Sequence, residues 1–201
     1  MKKIITVCSI MGLLLGITPV ADASPTPPPW EKSLVGVDMG TGGKVFAWNL
    51  NGYSIPAGQQ ITGAVLTYFN LQDNQNSYAT DHLYTRLLDS WVNGTGGWRT
   101  VVNSGDPDGD YYATHNSPNV VVGDYVPLDK NAHNVSYDLI ALGLKNDLTN
   151  YITNDSKFAF GIDPDCHWQA CKIRFDLTTA PIPAPGAVLL IVGWLRRRRT
   201  L

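Results

Sequence analysis

Seventeen residues of this chain are acidic, and Glu31 is the only glutamate among them; all the others are aspartates. Aspartate, like asparagine and glycine, hydrogen-bonds to its own backbone in turns and is poor in helix interiors, whereas glutamate is a good helix former. A chain that takes nearly all of its acid as aspartate, and adds nineteen glycines and thirteen prolines, has little from which to build exposed helical faces. It has ample material for joining short strands. The choice of acid therefore points to an all-β fold.

Hydrophobic patterning agrees. Residues 44–49, 63–71, 82–88, 120–122 and 134–139 are short runs rich in valine, leucine and aromatics, bounded by turn residues. Phe158, Phe160 and Ile162 alternate with Ala159 and Gly161, and Ile173, Phe175 and Leu177 alternate with Lys172, Arg174 and Asp176. Alternation of this kind marks half-buried strands. The Asp163-Pro164 turn lies between the two, which predicts that they pair as a hairpin. Residues 139–152 place Leu139, Leu142, Leu144, Leu148, Tyr151 and Ile152 near helical spacing, which predicts one short helix capping an end of the structure. The expectation is a single β-sandwich or jelly roll with one short helix.

The two ends have a different character. Met1, Lys2 and Lys3 precede an apolar run over residues 4–20, and Ala21-Asp22-Ala23 stands before Ser24. A short positive region, an apolar core and a small-x-small triplet make a secretory signal, here residues 1–23, cut by signal peptidase between Ala23 and Ser24. At the other end, Ala180-Pro181-Ile182-Pro183-Ala184-Pro185-Gly186 is a stiff, proline-rich spacer. The nearly all-apolar residues 187–195 follow it, then Arg196, Arg197, Arg198 and Arg199. The apolar segment seeks lipid and the arginines hold to the cytoplasmic side.

Spacer, apolar segment and arginine cluster together resemble the PEP-CTERM sorting signal of Gram-negative-type bacteria. The resemblance implies processing by an exosortase-type membrane protease, through a transient inner-membrane-anchored precursor, on the way to the cell surface, outer envelope or extracellular matrix. Two features depart from the family. The signature tripeptide reads Pro183-Ala184-Pro185, with alanine where glutamate is usual. Residues 186–195 also reach only ~15 Å as a helix, against a hydrocarbon core of ~30 Å.

Between a signal at 1–23 and a tail at 180–201, residues 24–179 are the size of one domain. Six of the fifteen basic residues and one acid, Asp22, belong to the ends, leaving nine bases and sixteen acids, a net charge of −7. Such a surface repels phosphate, which argues against nucleic acid as a partner, and is compatible with divalent cations or simply with solubility. Cys166 and Cys171 are the cysteines left after removal of Cys8. Close in sequence and bound for an oxidising compartment, they predict a local disulfide, with a loop-closure contribution of roughly 2 kcal/mol. A zinc site with His167 is the alternative, but these three residues do not supply four spaced ligands.

Chemistry is sparse. Asp106-Pro107-Asp108-Gly109-Asp110 places alternate aspartates in a glycine-containing loop. A calcium loop using Asp106, Asp108 and Asp110 is one reading, and a solvated turn is the other; with no downstream glutamate it is not an EF-hand. Asp163 and Asp165, beside His167, read as turn formers and N–H caps in preference to a catalytic carboxylate pair. Nucleophile elbows and phosphate loops are absent from the sequence, and His82, His115, His133 and His167 are scattered. A non-catalytic protein is expected. Trp91, Trp98, Tyr111, Tyr112 and Tyr125 crowd a turn-rich region, where they either pack the core or offer platforms for polysaccharide, with Trp91 and Trp98 stacking on sugar rings. The run Phe158 to His167 is similar to the closing hairpin of some PEP-CTERM ectodomains, and the order strand, short helix, strand is similar to jelly-roll modules that include carbohydrate-binding domains. The leading expectation is an exported, surface-sorted β-sandwich; the alternatives are a carbohydrate-binding or adhesive module, with or without calcium in its loops, and then a secreted hydrolase.

Overall fold

Strands that are apolar on one face need a second layer to cover that face. The computed structural model describes residues 29–40, 43–74, 81–102, 109–115 and 118–183. Among these the strands are β1 (Trp30–Asp38), β2 (Val45–Asn51), β3 (Gln59–Asp73), β4 (Leu83–Leu88), β5 (Gly97–Val102), β6 (Asn119–Tyr125), β7 (His133–Asp138), β8 (Lys157–Pro164) and β9 (Trp168–Pro181); the α-helix is α1 (Lys145–Asp155). They form two antiparallel sheets, ordered β1-β9-β3-β7 and β5-β2-β8-β4-β6. With β5 taken as an added edge strand, the rest divides four and four, and every connection except β4 to β6 crosses between the sheets. This is the jelly-roll form of the β-sandwich.

The predicted hairpin is not formed. β8 pairs with β2 and β4, whereas β9 pairs with β1 and β3 in the opposite sheet. β9 is half-buried, as its alternation predicts, whereas β8 is buried on both faces; the apolar faces of the two strands meet across the sandwich instead of side by side. Phe160 of β8 and Phe175 of β9 lie 5.1 Å apart between ring centroids, and Phe158 lies 5.8 Å from Phe175. All three rings are fully buried. Truncating any one to alanine costs about 3–5 kcal/mol.

β8 is covered on both sides. Phe158, Phe160 and Ile162 face the main core, while Ala159 faces a second apolar cluster with Val45, Ala47, Leu88, Val92 and Tyr112. That outer layer is held by Asn49 of β2, a buried residue whose Nδ2 donates to the carbonyls of Val92, at 2.8 Å, and Thr95, and whose Oδ1 accepts the Val92 N–H at 3.1 Å.

Three adjacent strands change faces at one level. Inward residues run Leu34 then Val37 in β1, Tyr68 then Leu71 in β3, and Ala170 then Ile173 in β9, three apart where strict alternation requires two. Gly36 and Asn70 stand opposite Cys171 at this level, bracketed by the pairs Val35↔Lys172, Val37↔Ala170, Phe69↔Lys172 and Gln72↔Gln169. Both Gly36 and Asn70 have positive φ, 64° and 49°, the left-handed region that glycine and asparagine tolerate. Because all three strands carry the extra residue together, the register between them does not slip.

The helix packs Leu148, Tyr151 and Ile152 into the sandwich and ends on Ser156, in the left-handed conformation. It starts at Lys145, later than the periodicity suggests, because residues 139–144 form turns. β9 continues through Pro181, which pairs with Gln59, so the first residues of the expected spacer belong to the sheet. Among the described residues no helix is long and apolar enough to cross a membrane.

Candidate functional site

The expected disulfide is absent: Cys166 and Cys171 are both free. Cys166 is buried in the core, whereas Cys171 is exposed on β9 at the level where the strand changes faces. The sheet itself lies between the two thiols. Spacing in sequence could not reveal this, because the face change is a property of three strands together.

Of the aspartates considered for calcium, Asp106 and Asp108 lie outside the described residues. Asp110 accepts from Arg86 Nε at 2.8 Å, with both side chains largely buried. Asp163 Oδ2 accepts the Tyr111 N–H at 2.6 Å, and Asp165 Oδ1 accepts the Gly109 N–H at 3.5 Å. These two carboxylates thus act on the backbone of the 109–111 segment, holding it against β8. The collected negative charge is felt at Tyr84, whose hydroxyl is pushed up to about 12 by burial and then by Asp165, Asp124, Asp110 and Asp163. His82 stacks on the Tyr84 ring at 5.2 Å and hydrogen-bonds to Asp124 at 2.7 Å.

The aromatic residues separate into two kinds. Tyr112 is buried, and Tyr125 packs edge-on against Trp168 at 5.7 Å. Tyr111 stacks on His115 at 4.0 Å. Trp91 donates its indole N–H to the Leu50 carbonyl at 2.8 Å and carries the Lys157 ammonium 5.3 Å from its ring centre. Trp98 lays its ring against Phe46, 5.0 Å between centroids and 18° between planes, and lines an open cleft of about 300 Å³ with Leu34, Val35 and Asp38. Val35, in that cleft, is 80% exposed.

One constellation had no sequence signal. Asp73 at the end of β3, Asp81 ahead of β4 and Cys166 between β8 and β9 bring a ligand atom each to within 4.8 Å of one another, and all three are buried. The Cys166 thiol donates to Asp73 Oδ1 at 3.4 Å. Burial pushes that thiol well above its ordinary range, and the neighbouring Asp81 and Asp73 carboxylates push the same way. Asp73 and Cys166 are 93 positions apart in sequence, so only the sheet order brings them together. Two backbone bonds fix the meeting point: Asn74 N–H to the His167 carbonyl at 2.9 Å, and Asp165 N–H to the His82 carbonyl at 3.0 Å.

Ala23, Ser24, Ala184, Pro185 and Arg196 to Arg199 lie outside the described residues, and Pro183 is the last described position. Compared with known proteins, the chain matches no family model, and no curated protein shows significant similarity to it.

Proposed function

We propose that this chain is an exported, surface-sorted, non-catalytic β-sandwich protein of the bacterial envelope or extracellular matrix. The observation that carries the reading is the succession of Pro183-Ala184-Pro185, the apolar residues 187–195 and the four arginines Arg196 to Arg199, which resembles a PEP-CTERM sorting signal. An acidic, turn-rich sandwich behind a small-x-small triplet supports it. So does the use made of the acids: Asp110 is tied to Arg86, while Asp163 and Asp165 cap backbone N–H groups. In this reading signal peptidase releases Ser24 as the new N-terminus, and an exosortase-type protease trims the tail.

The test is to express the full chain in a bacterium that carries an exosortase-type system, fractionate the cells and sequence both termini by mass spectrometry. A surface-accessible product that begins at Ser24 and lacks the arginine cluster is expected. Recovery from the cytosol with Met1 and Leu201 both retained overturns the reading.

A second reading, a glycan-binding module, rests on Trp98, which lines an open cleft beside the exposed Val35. Glycan-array binding that disappears in Trp98→Ala supports it, and silence across a broad array removes it. Trp91 is the weaker platform, since Lys157 already lies over its ring.

A further inference from the structure

Among the described residues, one group of side chains in the sandwich interior has the chemistry of a ligand set. Asp73, Asp81 and Cys166 are 4%, 7% and 5% exposed. Gathering two carboxylates and a thiol around one point in a low-dielectric interior is costly, and a cation at that point offsets the cost. The framework is rigid, because each ligand sits beside a strand end and the segments are cross-tied by the Asn74–His167 and His82–Asp165 backbone bonds. Such support from regular elements is what a metal site needs.

Two further observations point to an occupant. The distance from Cys166 Sγ to Asp73 Oδ1 is 3.4 Å. Tetrahedral zinc, with Zn–S near 2.3 Å and Zn–O near 2.0–2.2 Å, sets its sulfur and oxygen ligands about 3.5 Å apart. Trp168 is the cross-strand partner of Asp73 and fully buried, and among the described residues its indole Nε1 has no hydrogen-bond partner. Directly opposed residues share a face with Cβ atoms about 4.5–5.5 Å apart, so this unused donor belongs to a side chain next to the ligands. A buried indole N–H ordinarily finds an acceptor.

We propose that Asp73, Asp81 and Cys166 bind a divalent ion of the zinc class, with a solvent oxygen in the fourth position that accepts the Trp168 N–H. The thiolate selects a borderline-soft ion over calcium. Binding releases the thiol proton to solvent and leaves the metal unchanged in oxidation state. The ion pins the end of β3, the start of β4 and the β8–β9 connection to one point, the cross-link that the two cysteines do not supply. This inference is independent of the sorting reading.

The test uses the full chain, stripped with chelator and titrated with cobalt(II), then zinc. One equivalent of cobalt is expected to give a thiolate-to-cobalt charge-transfer band with intense tetrahedral visible bands, and zinc abolishes both while raising the unfolding midpoint. Cys166→Ser loses the charge-transfer band, Cys171→Ser keeps it, and Trp168→Phe weakens zinc binding about tenfold. A native chain with no thiolate band and an unfolding midpoint indifferent to zinc overturns the proposal, in favour of a thiol that simply hydrogen-bonds to the carboxyls. A band that persists in Cys166→Ser overturns it equally. Because both native-chain readouts stand without any variant, a failure of Cys166→Ser to fold leaves the proposal decidable.

Discussion

Tyr112 occupies the space that a side chain on Gly161 would need. A Cβ built on Gly161 falls 2.6 Å from Tyr112 Cε2 and 2.7 Å from Cδ2, while the Tyr112 hydroxyl donates to the Phe46 carbonyl at 2.7 Å. The ring is thus held against bare backbone at the centre of a sheet by a bond to the neighbouring β2 strand. Gly161→Ala is expected to displace Tyr112 and destabilise the fold by about 1–3 kcal/mol. Tyr112→Phe, which keeps the ring and loses only the hydroxyl, is expected to cost about 1 kcal/mol. Urea unfolding of both variants checks the ranking, and a Gly161→Ala chain as stable as the parent refutes the packing.

Asn49 serves three backbone groups of the outer layer, the Val92 N–H and the carbonyls of Val92 and Thr95. Asn49→Ala leaves them without these partners in a buried site, a loss of about 2–4 kcal/mol. Asn49→Asp keeps the acceptor for Val92 N–H but sets a carboxylate against two carbonyls, and is expected to be worse. Hydrogen exchange should show the damage confined first to residues 88–102, the segment Asn49 ties to β2.

Tyr68 and Thr85 join the two sheets through the core, hydroxyl to hydroxyl at 2.9 Å, and both are fully buried. Removing one partner strands the other, so Tyr68→Phe and Thr85→Val are each expected to cost about 1–3 kcal/mol. Removing both leaves no orphan, and the double variant should lose less than the sum. A double-mutant cycle by thermal unfolding reads the difference, and additive losses would mean the hydroxyls do not depend on each other.

Asp129 is held at about 2, below its ordinary 3.8, chiefly by its hydrogen bond to His133 and then by the Asn131 backbone N–H. The fold therefore favours the carboxylate. Its contribution to stability is complete above about pH 3.8 and fades as pH falls through about 2. Carboxyl-carbon NMR titration should find this depressed midpoint, and His133→Ala should return it toward 3.8. A midpoint unmoved by His133→Ala would remove the pairing as its cause.

Much of the fold was legible because its signals are local. Alternation located β8 and the outer half of β9, and aspartate in place of glutamate foretold an all-strand sandwich. β1 was missed because Glu31, Lys32 and Ser33 interrupt any apolar pattern; it is a strand by virtue of pairing with β9. β5 was missed because it is an exposed edge with few inward residues. The hairpin expectation failed for a related reason. Alternation states that a strand has a dry face, but not which neighbour it hydrogen-bonds. The Asp73–Asp81–Cys166 group was invisible for the same cause, since its members meet only through the sheet order. The disulfide expectation relied on proximity along the chain, which the face change of β9 defeats.

That face change has a consequence for how the sequence can vary. Gly36, Asn70 and Cys171 are spare residues placed side by side, each breaking the alternation of its strand at one shared level. Deleting Gly36 alone slides the end of β1 and the residue after it by one place and turns Val37 and Met39 out to water, although each is buried now. Deleting all three at once leaves the partners matched. Length changes in this sheet are therefore tolerated as a triplet and punished singly, which ties three distant stretches of the chain into one unit of inheritance.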